Sequence, residues 1–261
     1  MSAFNNAIAL ITGASSGIGA ACAQQFAAAG VKQLILAARR RDRLEVLAAK
    51  LMVPTHLLTL DVRDRAQVEA AIAGLPPELQ AIDILVNNAG LSRGLDPFQS
   101  GEIQDWEEMI DTNIKGVLYV TRAIVPGMVE RDRGHILTIG SIAGHQTYPK
   151  GNVYCATKAA VRAFSEGLKQ DLLGTSVRVS SIDPGLVETE FSEVRFHGDR
   201  ERANAVYSDT VPLTADDVAE VVLFCASRPA HVNLSEVLVL PTVQAGATLV
   251  HRQSKAIPTD V

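Results

Sequence analysis

The chain has 261 residues, 47% of them hydrophobic, and a formal net charge of −5. That length can bury a large core, and an acidic balance without a basic cluster argues against nucleic acid or an anionic membrane as the main partner. Cys22, Cys155 and Cys225 are too scattered for a disulfide framework, and the six histidines show no HxxxH or HxH pairing, so no metal site is expected and a reducing cytoplasmic setting fits.

The first apolar run, residues 7–12, is short, has no basic stretch before it and enters a glycine loop, so it reads as a strand and not as a signal peptide. Further runs follow at 33–38, 55–60, 83–88, 134–140, 177–182 and 236–241. Each is nearly continuous in hydrophobicity, as expected of strands covered on both faces of a parallel sheet. Helices are predicted between them at 17–29, 41–51, 65–73, 102–130, 152–173 and 215–226, with Asp64 and Thr214 as N-caps. No run approaches the ~18–20 apolar residues of a membrane helix. Strand and helix in alternation imply right-handed crossovers and a single α/β domain over 1–261, a doubly wound Rossmann-type sheet of seven parallel strands with helices on both faces. The stretch at about 184–213 is polar and aperiodic, long for a connection, and reads as an active-site lid. The tail from about 242 to 261 is expected to be irregular, with its last ten residues disordered.

Between the first strand and its helix stands TGASSGIG, with Gly13, Gly17 and Gly19 in a G-x-x-x-G-x-G arrangement. Gly13 permits the sharp turn, Gly17 lets backbone approach a pyrophosphate, and Gly19 lets helix and strand pack closely. Ser15, Ser16 and Ile18 lie in the same loop. The helix N-terminus adds unpaired amides and a partial positive charge. The second strand ends in LAARRRDR, with no carboxylate to bind an adenine-ribose diol. Arg39 and Arg40 suit a 2′-phosphate instead, which predicts NADP(H).

On the predicted helix 152–173, Tyr154 and Lys158 are i and i+4 and share one face. A neighbouring ammonium is expected to favour the phenolate and fit the Tyr for proton transfer. A Tyr stacked on a Lys stem at a solvated surface would show the same spacing. Ser141 follows the fifth strand, at the sheet edge where open α/β sheets bind ligands.

TGASSGIG, NNAG at 87–90, Ser141 and YCATK at 154–158 together resemble the short-chain dehydrogenase/reductase family, in its order and spacing. The resemblance implies that Tyr154 is the general acid/base, that Lys158 lowers its pKa and binds the nicotinamide ribose, that Ser141 holds the substrate oxygen, and that Asn113 completes a water-linked proton relay. It places Asp61 and Val62 at the adenine and Asn88, Ala89 and Gly90 along the adenine ribose. Pro184, Gly185, Val187 and Thr189 fall at the nicotinamide carboxamide. The second half of the chain resembles the branch that oxidises 3-hydroxy acids such as serine, L-allo-threonine and 3-hydroxyisobutyrate. A small anionic substrate needs a cation, and Arg195 and Arg93 are candidates, with His197 a weaker one. Lys150 is expected to add positive charge near the pocket mouth. A reductase of sulfoacetaldehyde, a diketone or a cyclic ketone, or a non-catalytic NADPH-binding module, remains the alternative. Apolar stripes such as Val117, Val120, Ile124 and Ala160, Phe164, Leu168 either pack on the sheet or pair helices in the homotetramer that the resemblance implies.

Overall fold

The computed structural model describes residues 4–252. The C-terminal residues expected to be disordered lie, all but the first, outside that range. Seven parallel strands form one sheet: β1 Ile8–Thr12, β2 Gln33–Ala38, β3 Thr55–Thr59, β4 Ile84–Asn87, β5 Gly134–Ile139, β6 Val177–Pro184 and β7 Glu236–Val239, in the order β3-β2-β1-β4-β5-β6-β7. The order reverses between β1 and β4, which opens a crevice at the carboxyl ends of the strands. The inner strands β1, β2, β4, β5 and β6 are buried almost throughout. The edge strands β3 and β7 are only partly covered, so the expectation of burial on both faces fails at the two edges, where one neighbour is missing.

The helices are α1 Gly17–Ala28, α2 Arg41–Ala48, α3 Arg65–Ala73, α4 Ile103–Ile110, α5 Val117–Glu130, α6 Asn152–Asp171, α7 Phe191–Arg195, α8 Arg200–Ala205 and α9 Ala215–Ala226. Asp64 caps α3 by accepting from Gln67 N, and Thr214 forms a reciprocal capping box with Asp217 on α9. Two departures from the sequence expectation bear on the site. The single helix predicted over 102–130 is interrupted by one π turn, Asp111–Gly116, which holds Asn113. The aperiodic stretch 184–213 contains α7 and α8, both too short to show a periodicity.

One face of the sheet packs on α1 and α9 through residues such as Phe26, Leu36 and Val222, and the other on α5 through Val120, Ile124 and Met128. Val117, Val120 and Ile124 are therefore spent inside the chain. All three cysteines are buried and unbridged.

Candidate active site

The crevice holds a cavity of about 450 Å³, within the range of small-molecule and cofactor sites. Its walls take in the ends of β1, β2, β4, β5 and β6 together with the segment 184–213, expected from the sequence to be a lid. Gly13, Ser15, Ser16, Gly17, Ile18, Arg39, Arg40, Asp61, Val62, Asn88, Ala89 and Gly90 all face it, as do Ser141, Tyr154, Lys158, Pro184, Gly185, Val187, Thr189 and Arg195. Gly19, Asn113 and Arg93 do not line it.

Gly19 acts from beneath. A Cβ there would stand 2.5 Å from both Asn88 Nδ2 and Gly13 O. Gly13 has φ +65°, and its own Cβ would meet Ala89 Cα at 2.9 Å. Neither position has room for a side chain. The loop is cross-braced by Thr12, which opens TGASSGIG and was given no role from the sequence: its Oγ1 accepts from Asn88 N and Ala89 N, each at 3.0 Å. The Asn88 amide donates back to Thr12 O and Gly13 O at 3.0 and 3.2 Å. Asn88 thus shapes the cradle as well as bordering it. Ser16, the extended N-cap of α1, makes no side-chain capping bond, which leaves the opening amides of α1 for a phosphate oxygen. The donor set and the space fit a dinucleotide.

Beyond the end of β3, Asp61 is held by Arg63 at 2.6 Å. Partial burial works against its ionisation, but the Arg63 hydrogen bonds prevail and keep the carboxyl below its ordinary value. Arg40 donates to Ser15 and Ser16 and pairs with Glu190 of the lid at 3.1 Å.

Tyr154 and Lys158 are buried on the inner face of α6. Lys158 Nζ donates to Ile139 O at 2.9 Å and stands 6.0 Å from the centre of the Tyr154 ring. Burial lowers the Lys158 pKa to about 8, opposed by the charge of Asp183. Burial also pushes the Tyr154 phenol above its ordinary value, the nearby Tyr148 phenol adds to this, and Arg195 and Ser141 pull it back. Desolvation thus outweighs the charges at the phenol, and the cation that draws it back is Arg195, 5.3 Å from the ring. Ser141 Oγ accepts from Ala143 N at 3.1 Å and is hydrogen-bonded to the Tyr154 phenol, which brings the two hydroxyls together at the cavity wall.

Asn113 is almost fully buried, and its side chain is fully engaged. The amide donates to Leu91 O at 2.8 Å and to Thr157 Oγ1 at 3.0 Å, and Oδ1 accepts from Leu91 N at 2.8 Å. It ties the π turn to the loop after β4 and, through Thr157, to α6 at the residue before Lys158. π turns of this kind recur at functional sites.

The four cations considered for the substrate separate cleanly. Arg93 is bound to Glu108 at 2.7 Å and to the Val194 carbonyl, which takes it out of the cavity. His197 is exposed and paired with Asp105 at 3.1 Å. Lys150 lies with Arg93 beside a separate shallow depression, not at the pocket mouth. Arg195 alone of these faces the cavity, and its hydrogen bonds among the described residues go to neutral oxygens, Ser92 Oγ at 2.9 Å and Tyr148 Oη. Its guanidinium also lies near the rings of Tyr148, Tyr154 and Phe191. Tyr148 and Phe191 were not legible as site residues, since neither stands in a motif. Tyr207 also lines the cavity and braces the lid, sharing a 2.7 Å bond with Ser192 and donating to Val187 O.

Behind Lys158, Asp183 is 1% exposed and accepts from Ser181 and His145 at 2.6 and 2.7 Å. His145 also contacts Glu236 at 3.2 Å, which Arg162 holds at 2.9 Å. His145, Asp183 and Glu236 are one another's partners in this arrangement.

Comparison with known proteins agrees with this geometry. The model of the short chain dehydrogenase family matches residues 7–199. The NADP-dependent 3-hydroxy acid dehydrogenase YdfG of Salmonella typhi is 51% identical, covering 94% of this chain and 99% of the relative. Sulfoacetaldehyde reductase 2 of Chromohalobacter salexigens is 48% identical over 91% of this chain and 95% of its own. The structure of a serine dehydrogenase in closed form with NADP+ superposes with a TM-score of 0.90 at 50% identity, covering 94% of this chain and all of that one. The chain belongs to the short-chain dehydrogenase family.

Proposed function

We propose that this protein interconverts a small 3-hydroxy acid, of the serine, L-allo-threonine, 3-hydroxyisobutyrate or 3-hydroxypropionate type, and its carbonyl form with NADP(H). The observation that carries the substrate class is Arg195: a cavity-facing guanidinium with neutral hydrogen-bond partners, beside Tyr154 and Ser141. A carboxylate held bidentately there gains charge-assisted hydrogen bonds, and the Tyr148 hydroxyl stands next to it.

The glycine loop and α1 would hold the pyrophosphate, Arg39 and Arg40 the 2′-phosphate, and Lys158 the nicotinamide ribose. Bound NADP(H) supplies or accepts the hydride. The chain's own work is at the substrate oxygen. Ser141 donates to that oxygen and fixes its position. Tyr154 takes its proton when the alcohol is oxidised and returns one when the carbonyl is reduced. Its raised pKa suits the donor role, and deprotonation for oxidation depends on positive charge close by, with Arg195 nearest to the ring. The lid covers the site and limits water.

The reading includes a single domain working in a cytoplasmic homotetramer, supported by the exposed small face of α6 at Ala156, Ala159 and Ala163 and tested by the mass in solution. The substrate is tested with a panel of 3-hydroxy acids, sulfoacetaldehyde and neutral carbonyls. Turnover of the 3-hydroxy acids with NADP+ is expected, and Arg195→Ala should raise their KM about 100-fold, from loss of hydrogen bonds to a charged group of about 1.5–3 kcal/mol, while sparing neutral carbonyls. No turnover of any 3-hydroxy acid overturns the reading, and turnover of sulfoacetaldehyde alone replaces it with the sulfonate.

A further inference from the structure

The end of the cavity assigned to the 2′-phosphate already carries an anion of the chain's own. Glu190, between Thr189 and α7, places Oε2 3.1 Å from Arg40 Nη1 and Oε1 2.5 Å from Arg43 Nη1. On its other side Arg40 donates through Nε and Nη2 to Ser15 Oγ at 3.3 and 3.2 Å, and through Nη2 to Ser16 Oγ at 2.8 Å. A guanidinium has five N–H groups. These bonds engage four of them, and a bidentate grip on a phosphate needs two. A 2′-phosphate therefore cannot be gripped by Arg40 until one of the existing partners leaves.

Charge decides which one leaves. Ser15 and Ser16 are neutral and belong to the phosphate loop. Glu190 is an anion, and a phosphate dianion sharing its guanidinium would repel it. Burial works against the Glu190 charge, but hydrogen bonds from Arg43 and Arg40 outweigh it and hold the carboxyl below its ordinary value, so it is ionised at neutral pH. The three side chains are all about two-fifths exposed, where ion pairs are worth little and exchange readily.

We propose that Glu190 is a stand-in for the cofactor's 2′-phosphate. It pins the lid to Arg40 and Arg43 while that phosphate is absent, and the phosphate displaces it on binding. A plain 2′-hydroxyl brings no charge to displace it, so Glu190 weakens NADP(H) relative to NAD(H) by what its own release costs. The lid segment that Glu190 pins continues directly into α7, which carries Phe191 and Arg195. Arrival of the phosphate is thereby coupled to the segment that binds the substrate, and the coupling is reciprocal. This rests on the reading that NADP(H) occupies the cavity.

The test is to titrate the full-length protein and Glu190→Gln with NADP+, NAD+, 2′,5′-ADP and 5′-AMP by calorimetry. Glu190→Gln should bind NADP+ and 2′,5′-ADP at least threefold more tightly, with NAD+ and 5′-AMP changed by less than twofold. In the unaltered protein, 2′,5′-ADP should speed trypsin cleavage within 191–202 and 5′-AMP should not. Unchanged or weaker NADP+ binding by the variant, an equal gain for NAD+, or identical cleavage with both nucleotides overturns the stand-in. An unaltered protein that binds NAD+ as tightly as NADP+ overturns the cofactor reading instead.

Discussion

Beneath the glycine loop, the bonds that join the end of β1 to the end of β4 run to and from main chain. Thr12 and Asn88 stitch the end of β1 to the end of β4, and Gly13 and Gly19 stand where a single added carbon would collide with backbone. On the lid side, the bonds run from side chain to side chain: Arg195 to Ser92 and Tyr148, Ser192 to Tyr207, Glu190 to Arg40 and Arg43. A site limited by backbone shape tolerates few residues at each position. A site made of exchangeable side chains can be altered without disturbing its neighbour. The two halves are thus open to change in different ways.

Three variants probe that contrast. Tyr154→Phe removes only the hydroxyl that moves the proton, on the wall between the two halves. It should cut turnover about 10³-fold, or about 4 kcal/mol in the barrier, with dinucleotide binding kept. Steady-state rates with a parallel binding titration check this, and near-normal turnover would remove Tyr154 from the chemistry. Gly19→Ala strikes the shape-limited half. Overpacking should cost about 1–3 kcal/mol of stability and weaken the dinucleotide as well. Denaturant unfolding and titration measure both, and a variant with unchanged binding would show the cradle to be softer than its geometry.

The smallest effect lies at the opposite end of the sheet and serves as the reference for both halves. His135, near the start of β5, bonds Ser180 at 2.8 Å. Burial and then the charge of Arg178 bring its pKa to about 3, from 6.5 unfolded. The unfolded chain thus binds more protons below pH 6.5, and stability contributed by the neutral ring falls as the pH falls towards 3. Between pH 7.5 and 5 this loss is about 2 kcal/mol. His135→Gln should flatten that slope whatever its stability at neutral pH, and an unchanged slope in unfolding curves would assign the acid sensitivity elsewhere.

The contrast also explains what the sequence made legible. The inner strands are apolar runs, and the glycine loop, NNAG and Tyr-x-x-x-Lys carry their chemistry in their spacing, so the seven parallel strands, much of the cavity wall and the placing of Ser141, Tyr154 and Lys158 on it could all be anticipated. Thr12 could have been found as the polar residue closing an apolar strand just before Gly13. Tyr148 and Glu190 could not, because their roles arise from loops that meet only in three dimensions. The same holds for the rejection of Arg93, which turns on a carboxylate 15 residues away, Glu108, reaching it first. The desolvation of the Tyr154 phenol was not legible either, because spacing reports a neighbouring charge and says nothing of the water that burial takes away.

The π turn at Asp111–Gly116 adds one residue to what would otherwise be a continuous helix. At about 3.6 residues per turn, one residue is about 100° of rotation. It works as a phase slip: residues before it and after it keep their own periodicity but point to different partners. Ahead of the slip, Trp106 and Met109 pack with Leu91 and Tyr154 under the lid. Beyond it, Val120, Ile124 and Met128 pack on the sheet. Asn113 sits at the slip itself, so the bonds that tie it to Leu91 and Thr157 hold two separate cores in step.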